Sequence, residues 1–174
     1  MTKQNLAREI YRVAHLTGTF TLRSGTVSNE YFDKYLFEGY PALLFAIAER
    51  MRDLIPANTE ILAGLEMGGI PVATALSLQS GLPCAFVRKK AKAYGTCKLA
   101  EGAQIEGRKI AVIEDVVTTG GQIIESVREL RGRGAVADTV LCVIQRDEKA
   151  SAILQGAGLT LLPLFTMEYL RAQI

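Results

Sequence analysis

The sequence predicts an α/β protein in which a central parallel sheet is flanked by helices. From residue 60 onward, short apolar runs alternate with stretches of helical periodicity. Such alternation is typical of βαβ units, in which a helix connects one parallel strand to the next. The chain has 174 residues, 49% of them hydrophobic, which is enough for one domain with a substantial core.

The positions of the apolar runs predict the order of the elements. We expect short strands at 61–64, 84–87, 109–113, 139–144 and 159–164. We expect helices at about 41–54, 71–80 and 122–131. Residues 88–107 show no periodicity and predict a long loop.

The first 40 residues depart from this alternation. Leu6, Ile10 and Val13 form the apolar stripe of an initial helix, and His15 is expected on another face of it. Two short strands, at 20–25 and 30–33, follow around a turn rich in Ser, Gly and Thr. Ligands of open α/β sheets bind at the carboxyl ends of the strands, and this N-terminal piece could cap that edge.

Composition argues against several classes of protein. The formal net charge of +2 is too balanced to predict a nucleic-acid or membrane surface, and no apolar run approaches the ~20 residues of a membrane span. The N-terminus lacks a signal-peptide core, and three scattered cysteines have no metal-site spacing, so we expect a cytoplasmic protein. Because His15 is the single histidine, a histidine-based metal site or triad is not expected.

The segment 110–121 joins an apolar strand, two acids and a turn of small residues to a predicted helix. Glu114 and Asp115 can accept hydrogen bonds from two neighbouring hydroxyls. The turn at 118–121 can offer amides and threonine hydroxyls to a phosphate at the helix N-terminus. A hydroxyl pair with a phosphate describes a ribose 5-phosphate. An acid pair at a strand end is common by itself, so the prediction depends on the whole string.

Two further segments suggest anion binding at the same edge. In 64–71, a strand leads through Gly68 and Gly69 to a helix start, where glycines permit close backbone approach. In 88–98, five basic residues occur without an acid. Such a run is usually a solvated loop, but its length also suits a lid whose cations stabilise an anion bound at this edge.

Segment 110–121 resembles the phosphoribosyl pyrophosphate (PRPP) signature of the type I phosphoribosyltransferases. Three further strings resemble the orotate-specific branch of that family: F-x-L-R-S-G-x-x-S-x-x-Y-F-D from Phe20, R-K-x-x-K-x-x-G from Arg88, and R-D-E from Arg146. Together the matches span residues 20–148. The resemblance implies one domain over 1–174, with a small hood of about 1–40 plus parts of the C-terminal segment, and a core of about 41–165.

The resemblance also implies roles for single residues. It implies that PRPP is bound by Glu66, Met67, Gly68, Gly69, Arg88, Lys89, Lys92, Glu114, Asp115, Val117, Thr118, Thr119, Gly120, Gly121 and Gln122. It implies catalytic roles for Lys89, Lys92 and Asp115. It implies that orotate is bound by Arg23, Tyr31, Phe32, Thr118 and Arg146. Core packing of Tyr31 and Phe32, and a surface ion pair of Arg146 with Asp147 or Glu148, are the alternatives.

The chain departs from the family pattern at four positions. Some members have a lysine in place of Arg23 or of Gly68, many have a histidine in place of Tyr94, and threonine is frequent in place of Gly121. These differences indicate variation within a subfamily. They also leave the lid without a histidine, so we expect catalysis that requires none.

The resemblance implies transfer of the phosphoribosyl group of PRPP to orotate. Mg²⁺ is expected to arrive with PRPP, with no direct protein ligand. The expected assembly is a homodimer in which each lid covers the neighbouring site, with no nucleic-acid or membrane partner. A purine-type phosphoribosyltransferase and a non-catalytic PRPP-sensing regulator are the alternatives.

Overall fold

The structure, a computed structural model, describes residues 1–22, 24–91 and 98–174. The helices are α1 (Lys3–Ala14), α2 (Lys34–Glu38), α3 (Pro41–Met51), α4 (Gly69–Ser80), α5 (Gly121–Gly132), α6 (Lys149–Gly156) and α7 (Met167–Arg171), with a 3₁₀ turn at Arg52–Leu54. The strands are β1 (His15–Thr21), β2 (Val27–Phe32), β3 (Ile61–Leu65), β4 (Cys84–Val87), β5 (Ala100–Gly102), β6 (Lys109–Val117), β7 (Val136–Gln145) and β8 (Thr160–Thr166).

The main sheet has six strands in the order β5-β4-β3-β6-β7-β8. The pairings from β4 through β8 are parallel, and only the edge strand β5 is antiparallel to its neighbour. This arrangement confirms the predicted α/β class with a central parallel sheet. The parallel strands place their carboxyl ends at one edge, where the acid pair and the glycine loop meet.

Helices cover both faces of the sheet, because successive residues of each strand point to opposite sides. On β6, Ala111 and Ile113 pack into the core shared with α1, α3 and α4. Ile110 and Val112 pack into the opposite core, which α5 and α6 close. The central strand therefore buries residues on both faces, as expected for a doubly covered parallel sheet.

A second, two-stranded sheet joins β1 and β2 in antiparallel register, with His15 opposite Phe32. Helix α1 precedes it and buries Leu6 and Ile10 completely in the core. The helix ends at Ala14, and His15 begins β1. The expected position of His15 on the helix was therefore wrong.

The two strands predicted at 20–25 and 30–33 begin earlier in the structure, at His15–Thr21 and Val27–Phe32. Strand β5 and helices α2, α6 and α7 were not predicted. Strand β5 lies in the segment expected to be loop and is paired to β4 by Val87 opposite Ala100. Helices α2, α6 and α7 have between five and eight residues. Such lengths hardly develop a helical period in the sequence. Among the described residues, no helix combines the length and hydrophobicity required to span a membrane.

Candidate active site

The acid pair lies within β6 rather than beyond its end. The strand continues to Val117 because β7 pairs with it as far as Gln145. Asp115 is fully buried and Glu114 is half-buried. Atom Oε2 of Glu114 is buried and has no hydrogen-bond partner in the described part of the chain. A buried carboxylate oxygen without a partner is costly in the free protein, and a hydroxyl-bearing ligand would satisfy it.

Burial and proximity set the charge of these acids. The pKa of Glu114 is raised to about 8, first by burial and then by the neighbouring Asp115. The pKa of Glu38 is also raised well above its usual range, first by burial and then by interaction with Asp115. The site therefore holds more protons near neutral pH than three isolated carboxyl groups would hold.

Lys34 and Glu38 of α2 belong to this cluster, although the sequence analysis missed both. Atom Nζ of Lys34 lies 2.9 Å from Oδ1 and 2.7 Å from Oδ2 of Asp115. Glu38 is buried, one helical turn after Lys34. Helix α2 begins here because the Asp33 side chain accepts a hydrogen bond from the backbone N–H of Tyr35. A capping aspartate followed by Lys and Glu four residues apart was the available sequence signal.

The glycine loop lies directly against the acids. A β-carbon on Gly68 would lie 1.7 Å from Oδ2 of Asp115, and one on Gly69 would lie 2.3 Å from the Ile113 carbonyl oxygen. Both glycines are needed for this close approach. Before them, the peptide bond between Glu66 and Met67 is cis, and the Glu66 side chain accepts a hydrogen bond from the backbone N–H of Lys89.

The turn between β6 and α5 has the features of a phosphate site. Thr118 and Thr119 are exposed, and Gly120 caps α5 with a positive φ of 81°. A β-carbon on Gly120 would also press on Leu154 of α6, at 3.0 Å. The first turn of α5 contains no acidic residue, so its free amides and dipole remain available to an anion.

The basic segment begins beside this cluster. Arg88 follows β4, and its Nε lies 3.8 Å from Oε1 of Glu101 on β5. Lys89 is exposed and close enough to Glu114 for its charge to lower the pKa of that acid, against the larger effect of burial. Lys92 and Tyr94 of the expected lid, and Arg23 of the N-terminal arm, lie outside the described residues.

Three of the expected orotate residues, Tyr31, Phe32 and Arg146, line one cavity of about 110 Å³ at the end of β7. Thr118 is not among the residues that line it. Tyr31 is 43% exposed and lies 5.5 Å from Phe20 between ring centroids, so it is not a core residue. Phe32 is half-buried and packs on Tyr11. Arg146 is exposed, and its backbone N–H donates to the Val117 carbonyl at 2.8 Å. The cavity therefore adjoins the turn between β6 and α5, at residues 118–120.

Other side chains that the sequence analysis did not place there also line this cavity, among them His15, Glu30 and Arg171. Atom Nε2 of His15 lies 2.8 Å from Oε2 of Glu30, and the His15 ring stacks on Tyr11 at 4.8 Å between centroids. His15 was expected on the first helix, but it begins β1 and lines this cavity, because α1 ends at Ala14.

Comparison with known proteins agrees with the site. Residues 40–155 match the phosphoribosyl transferase domain family. Fold and site together thus define a phosphoribosyltransferase. An orotate phosphoribosyltransferase of Nocardioides sp. is 50% identical over 167 residues, which cover 96% of this chain and 93% of that protein. The chain belongs to the orotate phosphoribosyltransferases of this family.

Solved structures show the same relationship. The orotate phosphoribosyltransferase of Mycobacterium tuberculosis H37Rv, in complex with Fe(III) dicitrate, superposes with a TM-score of 0.88 at 29% identity. That match covers 97% of this chain and 98% of the other. A structure of the same enzyme in complex with PRPP superposes with a TM-score of 0.83 at 26% identity, with the same coverage of both chains.

Proposed function

We propose that this protein transfers the phosphoribosyl group of PRPP to orotate, with orotidine 5′-monophosphate and pyrophosphate as products, in de novo pyrimidine synthesis. The observation that carries the proposal is the juxtaposition of two subsites. An acid pair, in which Asp115 is fully buried, lies on β6 just before the turn to α5, and a cavity with aromatic residues and arginines begins where β7 ends. These two adjacent subsites suit a ribose 5-phosphate with a planar anionic base beside its anomeric carbon.

The PRPP subsite is built from three segments. Glu114 and Asp115 accept hydrogen bonds from the ribose hydroxyls. The segment from Val117 to Gln122 holds the 5-phosphate through backbone amides and threonine hydroxyls at the start of α5. The loop from Glu66 to Gly69 approaches the pyrophosphate with its backbone. Support comes from the buried Oε2 of Glu114 and from the contact of the glycine loop with the acid pair.

Catalysis rests on electrostatic stabilisation of the leaving group. As the bond at the anomeric carbon breaks, positive charge develops on the ribose and negative charge on the pyrophosphate. Arg88, Lys89 and Lys92 neutralise the pyrophosphate, and a closed lid excludes water from the sugar cation. Orotate attacks as its ring anion, so no protein base is required. Asp115 holds the ribose in place while the anomeric carbon loses its bond to pyrophosphate and forms a bond to orotate.

Mg²⁺ fits the donor set of this site. The acid pair supplies oxygen donors, which this ion prefers, and PRPP brings further oxygens of its own. Glu114 and Asp115 would hold the ion indirectly, through the ribose hydroxyls or bound water. When bound with PRPP, the ion supplies charge neutralisation at the pyrophosphate.

The orotate subsite selects a planar anion. Tyr31 and Phe32 lie against the ring, and Thr118 and Arg23 contact the substrates from the phosphate turn and the N-terminal arm. Arg146 pairs with the carboxylate, since a guanidinium fork fits that group. Two arginines in the cavity favour an anionic base over a purine.

The proposed assembly is a cytoplasmic homodimer with shared lids, built from one domain that spans 1–174 with an N-terminal hood. A lid with few apolar anchors can reach a neighbouring subunit, and twofold symmetry makes such an exchange reciprocal. PRPP and orotate are then the partners of each site.

An assay with PRPP, Mg²⁺ and a panel of bases tests the function. We expect phosphoribosyl transfer to orotate, with adenine, hypoxanthine and guanine far poorer acceptors. Turnover of a purine base without turnover of orotate would indicate a purine-type enzyme. Binding of PRPP without turnover of any base would indicate a regulator.

A further inference from the structure

Lys34 places a cation inside the acid cluster of the ribose subsite. Its Nζ contacts both carboxylate oxygens of Asp115, at 2.9 and 2.7 Å. The side chain of Asp115 is fully buried, whereas that of Lys34 is 32% exposed. The Lys34 side chain therefore covers the buried acid and is itself partly exposed.

The surroundings keep this ammonium charged. Burial lowers the pKa of Lys34, but the hydrogen bond to Asp115 and the charges of Asp115 and Glu114 outweigh it, so the pKa is raised. Lys34 is therefore a full positive charge at neutral pH. It lies in a site that must accept a highly anionic substrate.

The contacts of Lys34 compete with the ribose. Oδ1 of Asp115 accepts a hydrogen bond from Nζ, and Oδ2 lies in ion-pair contact with it without a hydrogen-bond partner in the described part of the chain. Both oxygens are also acceptors that the ribose hydroxyls need. A carboxylate has about four acceptor positions, so hydroxyls can enter if the ammonium shifts. The stem of lysine is long and flexible, and its three donors rotate freely, so such a shift is cheap.

The glycine loop cannot supply a side-chain cation at this point. A β-carbon on Gly68 would overlap Oδ2 of Asp115, the atom that lies 2.7 Å from Nζ of Lys34. The loop therefore meets the site with backbone only. Because Lys34 contacts the same oxygen from α2, its ammonium already lies beside the loop.

We propose that Lys34 is a further PRPP-binding residue, whose ammonium moves from Asp115 to the pyrophosphate when that group binds, which leaves the carboxylate to the ribose hydroxyls. This inference rests on the proposed function. In the empty site, Lys34 neutralises Asp115. In the loaded site, it binds the leaving group next to the bond that breaks, where fixed positive charge favours departure.

The experiment compares ligands that contain or lack the pyrophosphate. Binding of Mg²⁺-PRPP, Mg²⁺-pyrophosphate and ribose 5-phosphate is measured by calorimetry for the wild type, Lys34→Met and Lys34→Gln. We expect the two pyrophosphate-containing ligands to bind about tenfold more weakly, or worse, because one charged hydrogen bond is lost. Ribose 5-phosphate should change by less than about threefold, or bind more tightly.

The matched control is Lys109→Met. Lys109 forms another ion pair between a lysine and an aspartate, with Asp138, at the opposite end of β6. Its loss should leave all three affinities unchanged. Lys34→Gln retains a hydrogen-bond donor for the buried Asp115, so it provides an uncharged variant that keeps the acid paired, and thermal unfolding checks its fold.

Unchanged or tighter binding of PRPP and pyrophosphate by folded Lys34 variants would overturn the proposal, since Lys34 would then only neutralise Asp115. Equal weakening of ribose 5-phosphate and pyrophosphate would also overturn it, because the effect would act through the acids. If the wild type bound neither PRPP nor ribose 5-phosphate, the proposed function itself would fail, and this inference with it.

Discussion

Asp115 lies at the centre of the site and contacts or influences three residues of other segments. It forms an ion pair with the ammonium of Lys34 and contributes to the raised pKa of Glu38. It also leaves no room for a side chain at position 68, where the chain has glycine. A fully buried carboxylate with so many neighbours is expensive to maintain unless it serves a ligand. Its position in the middle of a paired strand fixes it before substrate arrives.

Arg146 carries the expected preference for a carboxylate. We expect Arg146→Ala to raise the KM for orotate by about 10- to 100-fold, because the substrate carboxylate loses a charged hydrogen-bond partner. Binding of PRPP alone should change little. The control is Arg133→Ala, which removes an exposed arginine that pairs with Glu129 at the end of α5. An equal loss of PRPP affinity in Arg146→Ala would contradict the assigned role.

At this scale, sequence patterns indicated Glu114, Asp115 and Arg146 because each belongs to a contiguous string. The pairing of Lys34 with Asp115 spans 81 positions of the chain, so no local pattern could show it. His15 was misplaced for a related reason. Its conformation is set by pairing with Phe32 across the small sheet, a contact that helical periodicity cannot report.

Among the elements, the loop before α4 is the least tolerant of change. We expect Gly68→Ala to raise the KM for PRPP at least about tenfold and to destabilise the fold by ~1–3 kcal/mol, since the added methyl would overlap Asp115 Oδ2. Steady-state kinetics and thermal unfolding measure the two effects.

Gly132→Ala is the matched control for that substitution. Gly132 ends α5, and a β-carbon there would meet nothing within 4 Å. Its stability should change by no more than ~0.5 kcal/mol and its kinetics not at all. If Gly68→Ala behaved like this control, the contact of the loop with the acid pair would not limit PRPP binding.

The sequence predicted the long elements because burial imposes their pattern. Strand β4 has the predicted bounds, and β3, β6 and β7 extend beyond theirs. Strand β8 begins one residue later than predicted and ends two residues later. Strand β6 was underestimated because its apolar run stops at the acids, while hydrogen bonding to β7 continues to Val117. Strand β5 was missed because, within the described part of the chain, it pairs with β4 alone, and no local signal reveals that pairing.

For the whole molecule, the acid cluster couples stability to pH. The raised pKa values of Glu114, about 8, and of Glu38 mean that the folded protein retains protons that the unfolded chain releases above about 4.5. Their stabilising contribution is complete below that pH and is lost as pH rises through the folded pKa values. The free energy of unfolding should therefore fall between about pH 5 and 8, by at most ~1.4 kcal/mol per pH unit for each proton.

Urea unfolding at a series of pH values measures this slope. Glu114→Gln should flatten it, because the amide cannot ionise. Glu125→Gln, at an exposed position of α5, is the control and should leave it unchanged. A slope that is the same in Glu114→Gln and in wild type would show that Glu114 ionises normally in the folded protein.

The largest-scale prediction concerns the assembly, and it tests whether a lid serves its own site or that of its neighbour. Two inactive variants are mixed, Lys92→Ala in the lid and Asp115→Ala in the ribose subsite. In a hybrid dimer with shared lids, the intact lid of the Asp115 variant covers the intact ribose subsite of the Lys92 variant, while the other site carries both defects. Random re-association makes about half of the dimers hybrid, each with one working site of two, so activity should recover to roughly a quarter of wild type.

Subunit exchange must be demonstrated in parallel by co-purification of differently tagged chains. If hybrids form and activity stays at the level of the separate variants, each lid closes over its own subunit. A lid that acts within its own subunit leaves one defect in each site of the hybrid, so neither site is active. Only reciprocal exchange of lids across a twofold axis places both substitutions in one site and leaves the other site with neither.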